Sequence, residues 1–317
     1  MMISMRPSCL LLALLVMVVS GCSSGLGNYS VRQEPETSPP AVLRAPSKTF
    51  GIIYPMAYPA YENLTTIAGE YAARHNVKLV IKAPDTPSIE QQIRIVDTMI
   101  KDQVDGIAIS PVDSDALTPV INKAVEAGIP VVCFESDAPG SRRHAFVGAD
   151  NYAAGQQIAI SVSRLLDNKG MILVENGMSS TLGINQRLQG LMDYLTRKTE
   201  IEVLEVQFHE GIEEKAMSDI EQMIDKHPHF DAIVGLDFIS GTAGTLIWKA
   251  KGLNRDAVYL GLTPITKEAM QDGHVTSLIS QNEDLWGEYL IEALIGASEG
   301  EHLPSFMDAG IVEIFPE

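Results

Sequence analysis

Glu135 and Asp137 stand two residues apart just after the apolar run 129–134, a position where a general acid and a general base could face one substrate. Such a pair needs a shifted pKa and hydrogen-bond reach to the reacting proton, and nothing in the sequence shows either. His227-Pro228-His229 brings two imidazoles together, but in a loop between a helix and a strand it reads as a solvated turn. Cys133 lies inside Ile129-Pro130-Val131-Val132-Cys133-Phe134 and reads as a small buried hydrophobe rather than a reactive thiol. The chain has no GxxxxGK(S/T), no strand-linked GxGxxG, no GxSxG and no HExxH, each of which would mark phosphate, dinucleotide, acyl-transfer or zinc chemistry. It reads as a protein without catalysis, cofactor or metal.

Composition narrows the partners. The 317 residues are 45% hydrophobic and 20% charged, ordinary for a folded chain and long enough for two lobes. The 41 acidic residues outnumber the 23 basic ones, a net charge of -18. Phosphate neutralisation needs clustered Lys and Arg, so nucleic acid is excluded as a partner. Docking on an anionic membrane by charge is disfavoured for the same reason. At the N-terminus, Arg6 precedes an apolar run over 9–19, then Ser20-Gly21 and Cys22. The run is too short to span a bilayer and reads as a signal peptide over 1–21. Val19-Ser20-Gly21-Cys22 resembles the lipobox of bacterial lipoproteins. That resemblance implies that Cys22 becomes the lipid-bearing N-terminus and ties the protein to a membrane, in the periplasm or at the outer cell surface. Residues 22–47, rich in Gly, Pro and Ser, form a tether spanning roughly 25–30 Å.

The elements that must hold any site begin after that tether. Strands are expected at 50–54, 77–82, 106–109, 131–134 and 146–147, with helices at 60–75, 88–101 and 116–127. Ser88-Ile89-Glu90-Gln91 reads as a capping box and Gly128 as a helix stop. The alternation then restarts, with strands at 171–174, 203–208, 232–236, 258–262, 276–280 and 311–315 and helices at 153–166, 185–196, 213–226, 242–251 and 285–297. Continuous apolar strands alternating with amphipathic helices imply parallel sheets covered on both faces. Two such runs predict an α/β chain of two doubly wound parallel-sheet lobes. Ligands in these folds lie beyond the carboxyl ends of the strands, which selects the residues just after each apolar run.

Several of those strand ends share a pattern. Tyr58-Pro59-Ala60-Tyr61 follows the first strand, and Val104-Asp105-Gly106-Ile107-Ala108-Ile109-Ser110-Pro111 with Asp113-Ser114 forms the third. Ala127-Gly128-Ile129-Pro130-Val131-Val132 leads into the fourth, and Gly148-Ala149-Asp150-Asn151 with Ala154-Gly155 leaves the first lobe. Arg187-Leu188-Gln189-Gly190, Asp231-Ala232-Ile233-Val234-Gly235-Leu236-Asp237 and Leu278-Ile279-Ser280-Gln281 continue the series in the second lobe. In this order they resemble type I periplasmic sugar-binding proteins, the family of the ribose- and galactose-binding proteins, from residue 50 to the C-terminus. The resemblance implies a three-segment hinge near Asp150, Gln281 and Ser305. The N-terminal lobe is then 48–150 plus 282–304, and the C-terminal lobe 151–281 plus 305–317. It implies a monomer that captures a small polar ligand, a monosaccharide, for an ABC-type permease. The alternative it leaves open is a sensor that presents its closed form to a membrane-bound kinase or chemoreceptor.

By the same resemblance the ligand-binding residues are Tyr58, Tyr61, Glu135, Arg187, Asp237, Thr263 and Gln281. Carboxylates and Arg make strong charge-assisted hydrogen bonds to sugar hydroxyls, and tyrosines cover a C–H face while keeping a polar tip. Some residues have a second reading. Asp237 also suits the N-cap of a helix opening near Ser240, Thr263 suits the cap of the helix after it, and Arg187 suits an exposed helix face. Trp286 reads as core. Glu135-Ser136 stands where the family has Asp-Arg, Thr263 where it has Asp, and Tyr58 and Ala60 where it has Asn and an aromatic residue. Those departures leave the sugar's identity open.

Overall fold

A computed structural model describes residues 48–316; the expected signal peptide, Cys22 and the tether lie outside the described residues. The first run of elements is β1 (Lys48–Ile53), α1 (Tyr61–Arg74), β2 (Val77–Lys82), α2 (Ile89–Lys101), β3 (Gly106–Ile109), α3 (Ser114–Glu126), β4 (Val131–Phe134) and β5 (Ala145–Gly148). Every residue of β3, β4 and β5 is buried, so each strand needs cover on both faces. Helix caps set the entry points. Asp113 accepts from the Ala116 amide at 2.8 Å, and Ser88 from the Gln91 amide at 3.3 Å. The box expected at Ser88 is only half formed, because the Gln91 side chain does not return the bond to the Ser88 amide.

The chain then builds α4 (Asn151–Leu165), β6 (Lys169–Asn176), α5 (Leu182–Lys198), β7 (Glu200–Phe208), α6 (Glu213–Lys226), β8 (Ala232–Gly235), α7 (Phe238–Lys251), β9 (Asp256–Leu260), α8 (Pro264–Gln271) and β10 (Ser277–Ser280). It returns as α9 (Glu283–Ser298) and β11 (Phe306–Asp308) and closes with β12 (Val312–Ile314). Two six-stranded sheets result, in the orders β11-β5-β4-β3-β1-β2 and β12-β10-β9-β8-β6-β7. All pairings are parallel except that of β12 with β10. These are two doubly wound lobes.

The chain passes between the sheets after β5, after β10 and after β11. The third passage therefore lies between Asp308 and Val312 rather than near Ser305. Residues 306–308 add an edge strand to the first sheet, with Phe306 in register with Phe146 and the two rings stacked at 5.4 Å. Between the passages, α9 belongs to the first lobe, where Trp286, Leu290, Ile291 and Leu294 pack with Phe50, Leu64 and Ala68. Polar side chains tie the passages together. Gln281 Nε2 donates to Asn151 Oδ1 at 3.0 Å, and Asn282 Nδ2 donates to the Ala309 carbonyl at 2.7 Å.

Candidate functional site

The carboxyl ends of the two sheets face each other, and the cavity between them is lined by Tyr58, Tyr61, Glu135, Arg187 and Asp237. Five of the seven residues expected at the site are thus brought together from four separate segments of chain. Glu135 directly follows β4 in the left-handed region, φ 60°. A non-glycine residue there carries backbone strain of the kind found at ligand sites. The turn sends its carboxylate into the cleft, where Oε2 accepts from Tyr61 at 2.9 Å and from Ser110 at 3.0 Å. Its carbonyl accepts from Asn151 Nδ2 at 3.0 Å, which links the site to the first passage between the lobes. Burial pushes the Glu135 carboxyl up, against the opposing charge of Arg187 and the two hydroxyl donors.

Arg187 is only 2% exposed, so the reading as a solvated helix charge does not hold. It projects from α5, whose backbone lies against α4 because Gly155 and Gly190 have no side chains. A Cβ at Gly155 would fall 1.9 Å from the Arg187 carbonyl oxygen, and one at Gly190 would fall 2.0 Å from that of Tyr152. Arg187 Nη1 donates to the Leu236 carbonyl at 2.6 Å, while the buried Nε has no hydrogen-bond partner. Burial works against the guanidinium charge; Glu135 and Asp237 beside it oppose that effect.

Asp237 does two jobs. It caps α7, accepting from the Ser240 amide at 2.8 Å and the Ser240 hydroxyl at 2.6 Å, and it lines the cavity. His209 Nε2 lies 3.1 Å from Oδ1 and 3.0 Å from Oδ2. The Gly211 amide donates to His209 Nδ1 at 3.0 Å, so the proton of a neutral imidazole sits on Nε2, facing Asp237. Burial would raise the Asp237 carboxyl, but His209 and Ser240 hold it down at about 2.

Aromatic rings wall the cleft. Tyr61 stacks on Tyr54 at 4.6 Å and meets Phe238 of the other lobe edge-on at 6.3 Å. Tyr58 packs against the cores of both lobes. The lobes are in contact here. Ser180 and Thr181 donate to the Val112 carbonyl at 3.0 and 2.9 Å, and the Gly183 amide donates to Ser136 Oγ at 3.2 Å. Thr181, the N-cap residue of α5, makes no side-chain cap because its hydroxyl is committed across the cleft. The cavity left between the lobes is about 30 Å³, the closed condition of the cleft.

Thr263 and Gln281 do not line this cavity. Thr263 forms a capping box with Thr266 at the start of α8, its second reading. Gln281 is spent on Asn151 in the hinge, and its carbonyl accepts from Trp286 Nε1 at 3.2 Å. Asp137 also points elsewhere, into a bidentate ion pair with Arg143, so it forms no acid–base pair with Glu135. His227 pairs with Glu205 at 2.8 Å. Among the described residues no cluster of three or more His, Cys, Asp or Glu is placed to hold a metal. Sequence reading missed Ser110, Thr181, Met56, Met178, Ile184 and Phe238 on the lining. Ser110 and Phe238 directly follow a strand or a chosen residue and were within reach of the strand-end rule; the others carry no local signal.

The family profile described as "Periplasmic binding protein domain" matches residues 50–302. The chain is 26% identical over 311 residues to the D-ribose/D-allose-binding protein of Pseudomonas aeruginosa, covering 95% of this chain and 94% of that one. Among solved structures it superposes on an ABC transporter solute-binding protein from Burkholderia graminis in complex with D-arabinose. There the TM-score is 0.82 at 23% identity, over 86% of this chain and 96% of that one. A solute-binding protein from Agrobacterium vitis with bound D-fucose gives 0.80 at 22% identity, over 84% and 95%.

Proposed function

The chain belongs to the periplasmic binding protein domain family, and from that premise we propose that it captures a monosaccharide between its lobes and delivers it to an ABC-type permease. The observation that carries the ligand class is Arg187, an almost fully buried guanidinium with an unpartnered Nε, set between two carboxylates and facing aromatic rings. A buried donor without a partner costs free energy, and a sugar hydroxyl supplies the missing acceptor. Tyr58 and Tyr61 cover a C–H face, while Glu135, Arg187 and Asp237 take the hydroxyls. The protein acts as a monomer, held beside its permease by a lipid on Cys22 through the tether of residues 22–47.

Calorimetry with D-ribose, D-allose, D-arabinose and D-fucose tests this reading. At least one should bind in the micromolar range or tighter. Arg187→Ala should weaken that binding roughly ten- to a hundredfold, the equivalent of losing a charge-assisted hydrogen bond of about 1.5–3 kcal/mol. No binding to any sugar, or a variant that binds like the parent, would put the ligand or the site elsewhere. Cys22→Ser should release the protein from membranes or leave an uncleaved precursor; normal processing and membrane fractionation would refute the anchor.

A further inference from the structure

The ionisable groups on the cavity wall do not balance. Glu135 and Asp237 stand against Arg187, the one basic side chain on the lining among the described residues. His209, behind Asp237, does not restore the balance: its Nδ1 accepts from the Gly211 amide, so the imidazole is neutral. Two cations nearby are already spent, Lys215 on Asp219 and Arg143 on Asp137. The other acids within reach, Glu213 beside Tyr58 and Glu283 beside Arg187, cannot reduce the acidic excess.

Hydrogen-bonding capacity is skewed the same way. Tyr61 and Ser110 give their protons to Glu135 Oε2, and Thr181 gives its proton to the Val112 carbonyl. These three hydroxyls therefore meet a ligand through their lone pairs. Glu135 Oε1 takes neither of the two donors and is a further acceptor. A buried carboxylate without a countercharge is disfavoured, and burial does push the Glu135 carboxyl up. An ammonium brings three donors, no acceptor and the missing positive charge. Resting on the sugar reading above, we propose that the ligand is an amino sugar, whose ammonium is held by Glu135 Oε1 and whose hydroxyls accept from Arg187.

Calorimetry with the full chain tests this by moving one amino group around the ring, at a pH where the amine carries its proton. The probes are 2- and 3-amino-deoxy-D-ribose against D-ribose, and 2-, 3- and 6-amino-deoxy-D-glucose against D-glucose. At one ring position the amine should bind at least about tenfold more tightly than its hydroxyl counterpart, or about 1.4 kcal/mol. Glu135→Gln keeps the shape and one acceptor oxygen but removes the charge. It should shrink that ratio to about threefold or less, by weakening the amine more than the neutral sugar. The ratio itself is read on the unaltered protein, so it stands whether or not the variant folds. Neutral sugars that bind while no amine gains at any position overturn this inference and leave the sugar reading intact. A folded Glu135→Gln protein that keeps the full ratio also overturns it, since the ammonium is then held elsewhere. The absence of binding by all of these compounds, and by the pentoses and hexoses above, overturns both readings.

Discussion

At the scale of single residues, the second lobe keeps a carboxyl under conditions that favour its neutral form. Glu175, at the end of β6, is fully buried, and neither of its oxygens has a hydrogen-bond partner. Burial, helped by Asp219 and Asp237 and opposed by Lys215, pushes it up to about 9. The unfolded chain releases this proton near pH 4.5 while the folded chain keeps it. The native state therefore holds more protons between pH 4.5 and 9, and this residue's contribution to stability falls as pH rises through that window. Glu175→Gln removes the titration but keeps the shape. Thermal melts should show the variant gaining on the parent steadily from pH 5 to 8.5, by at most about 1.4 kcal/mol per pH unit. Parallel curves would refute it. Asp237 runs the other way: its folded value of about 2 lies below the usual 3.8, so its stabilisation is intact at neutral pH and is lost as pH falls from about 4 through 2.

Among the elements, the contact of α4 with α5 decides where Arg187 goes. Two glycines let the helix backbones touch, and the space at Gly155 ends 1.9 Å from the carbonyl oxygen of Arg187 itself. Gly155→Ala must push α5 outward, and overpacking of this kind costs about 1–3 kcal/mol, occasionally more. Sugar affinity should fall with it, because the guanidinium moves with its helix. Gly69 in α1 is the control, since a Cβ there meets nothing within 4 Å. Gly69→Ala should stabilise by about 0.5–1 kcal/mol through helix propensity alone and leave affinity unchanged. Urea titration and calorimetry on both variants separate the two effects. Equal responses at the two positions would mean that the helix contact does not set the site.

For the whole molecule, the cleft is held shut by its own hydrogen bonds. Ser180 and Thr181 share the Val112 carbonyl, and Gly183 reaches Ser136, each from one lobe to the other. These bonds exist only when the lobes meet, so they bias the population toward the closed form before any ligand contributes. Thr181→Val keeps the shape and removes one donor, worth about 0.5–1.5 kcal/mol. Sugar affinity should weaken about two- to tenfold, and X-ray scattering of the free protein should show a larger radius of gyration than the parent. Saturating ligand should bring both proteins to the same compact value. A variant that matches the parent in both measurements would show that the hydroxyl does not hold the lobes.

The alternation of apolar runs and amphipathic stretches was enough to read two parallel-sheet lobes, because periodicity records which faces must be buried. The strand-end rule and the family resemblance together singled out Tyr58, Tyr61, Glu135, Arg187 and Asp237, which do converge on one cavity. The edge strand β11 escaped notice, since three half-exposed residues leave no pattern. Commitments between side chains were not legible either. Thr263 resembled a ligand residue until Thr266 completed its capping box. The amide of Gln281 finds Asn151, 130 positions away, and Thr181 finds a carbonyl 69 positions away. Such partners are chosen by how two lobes pack and three passages cross, and local sequence carries burial preference but not the identity of a distant hydrogen-bond partner.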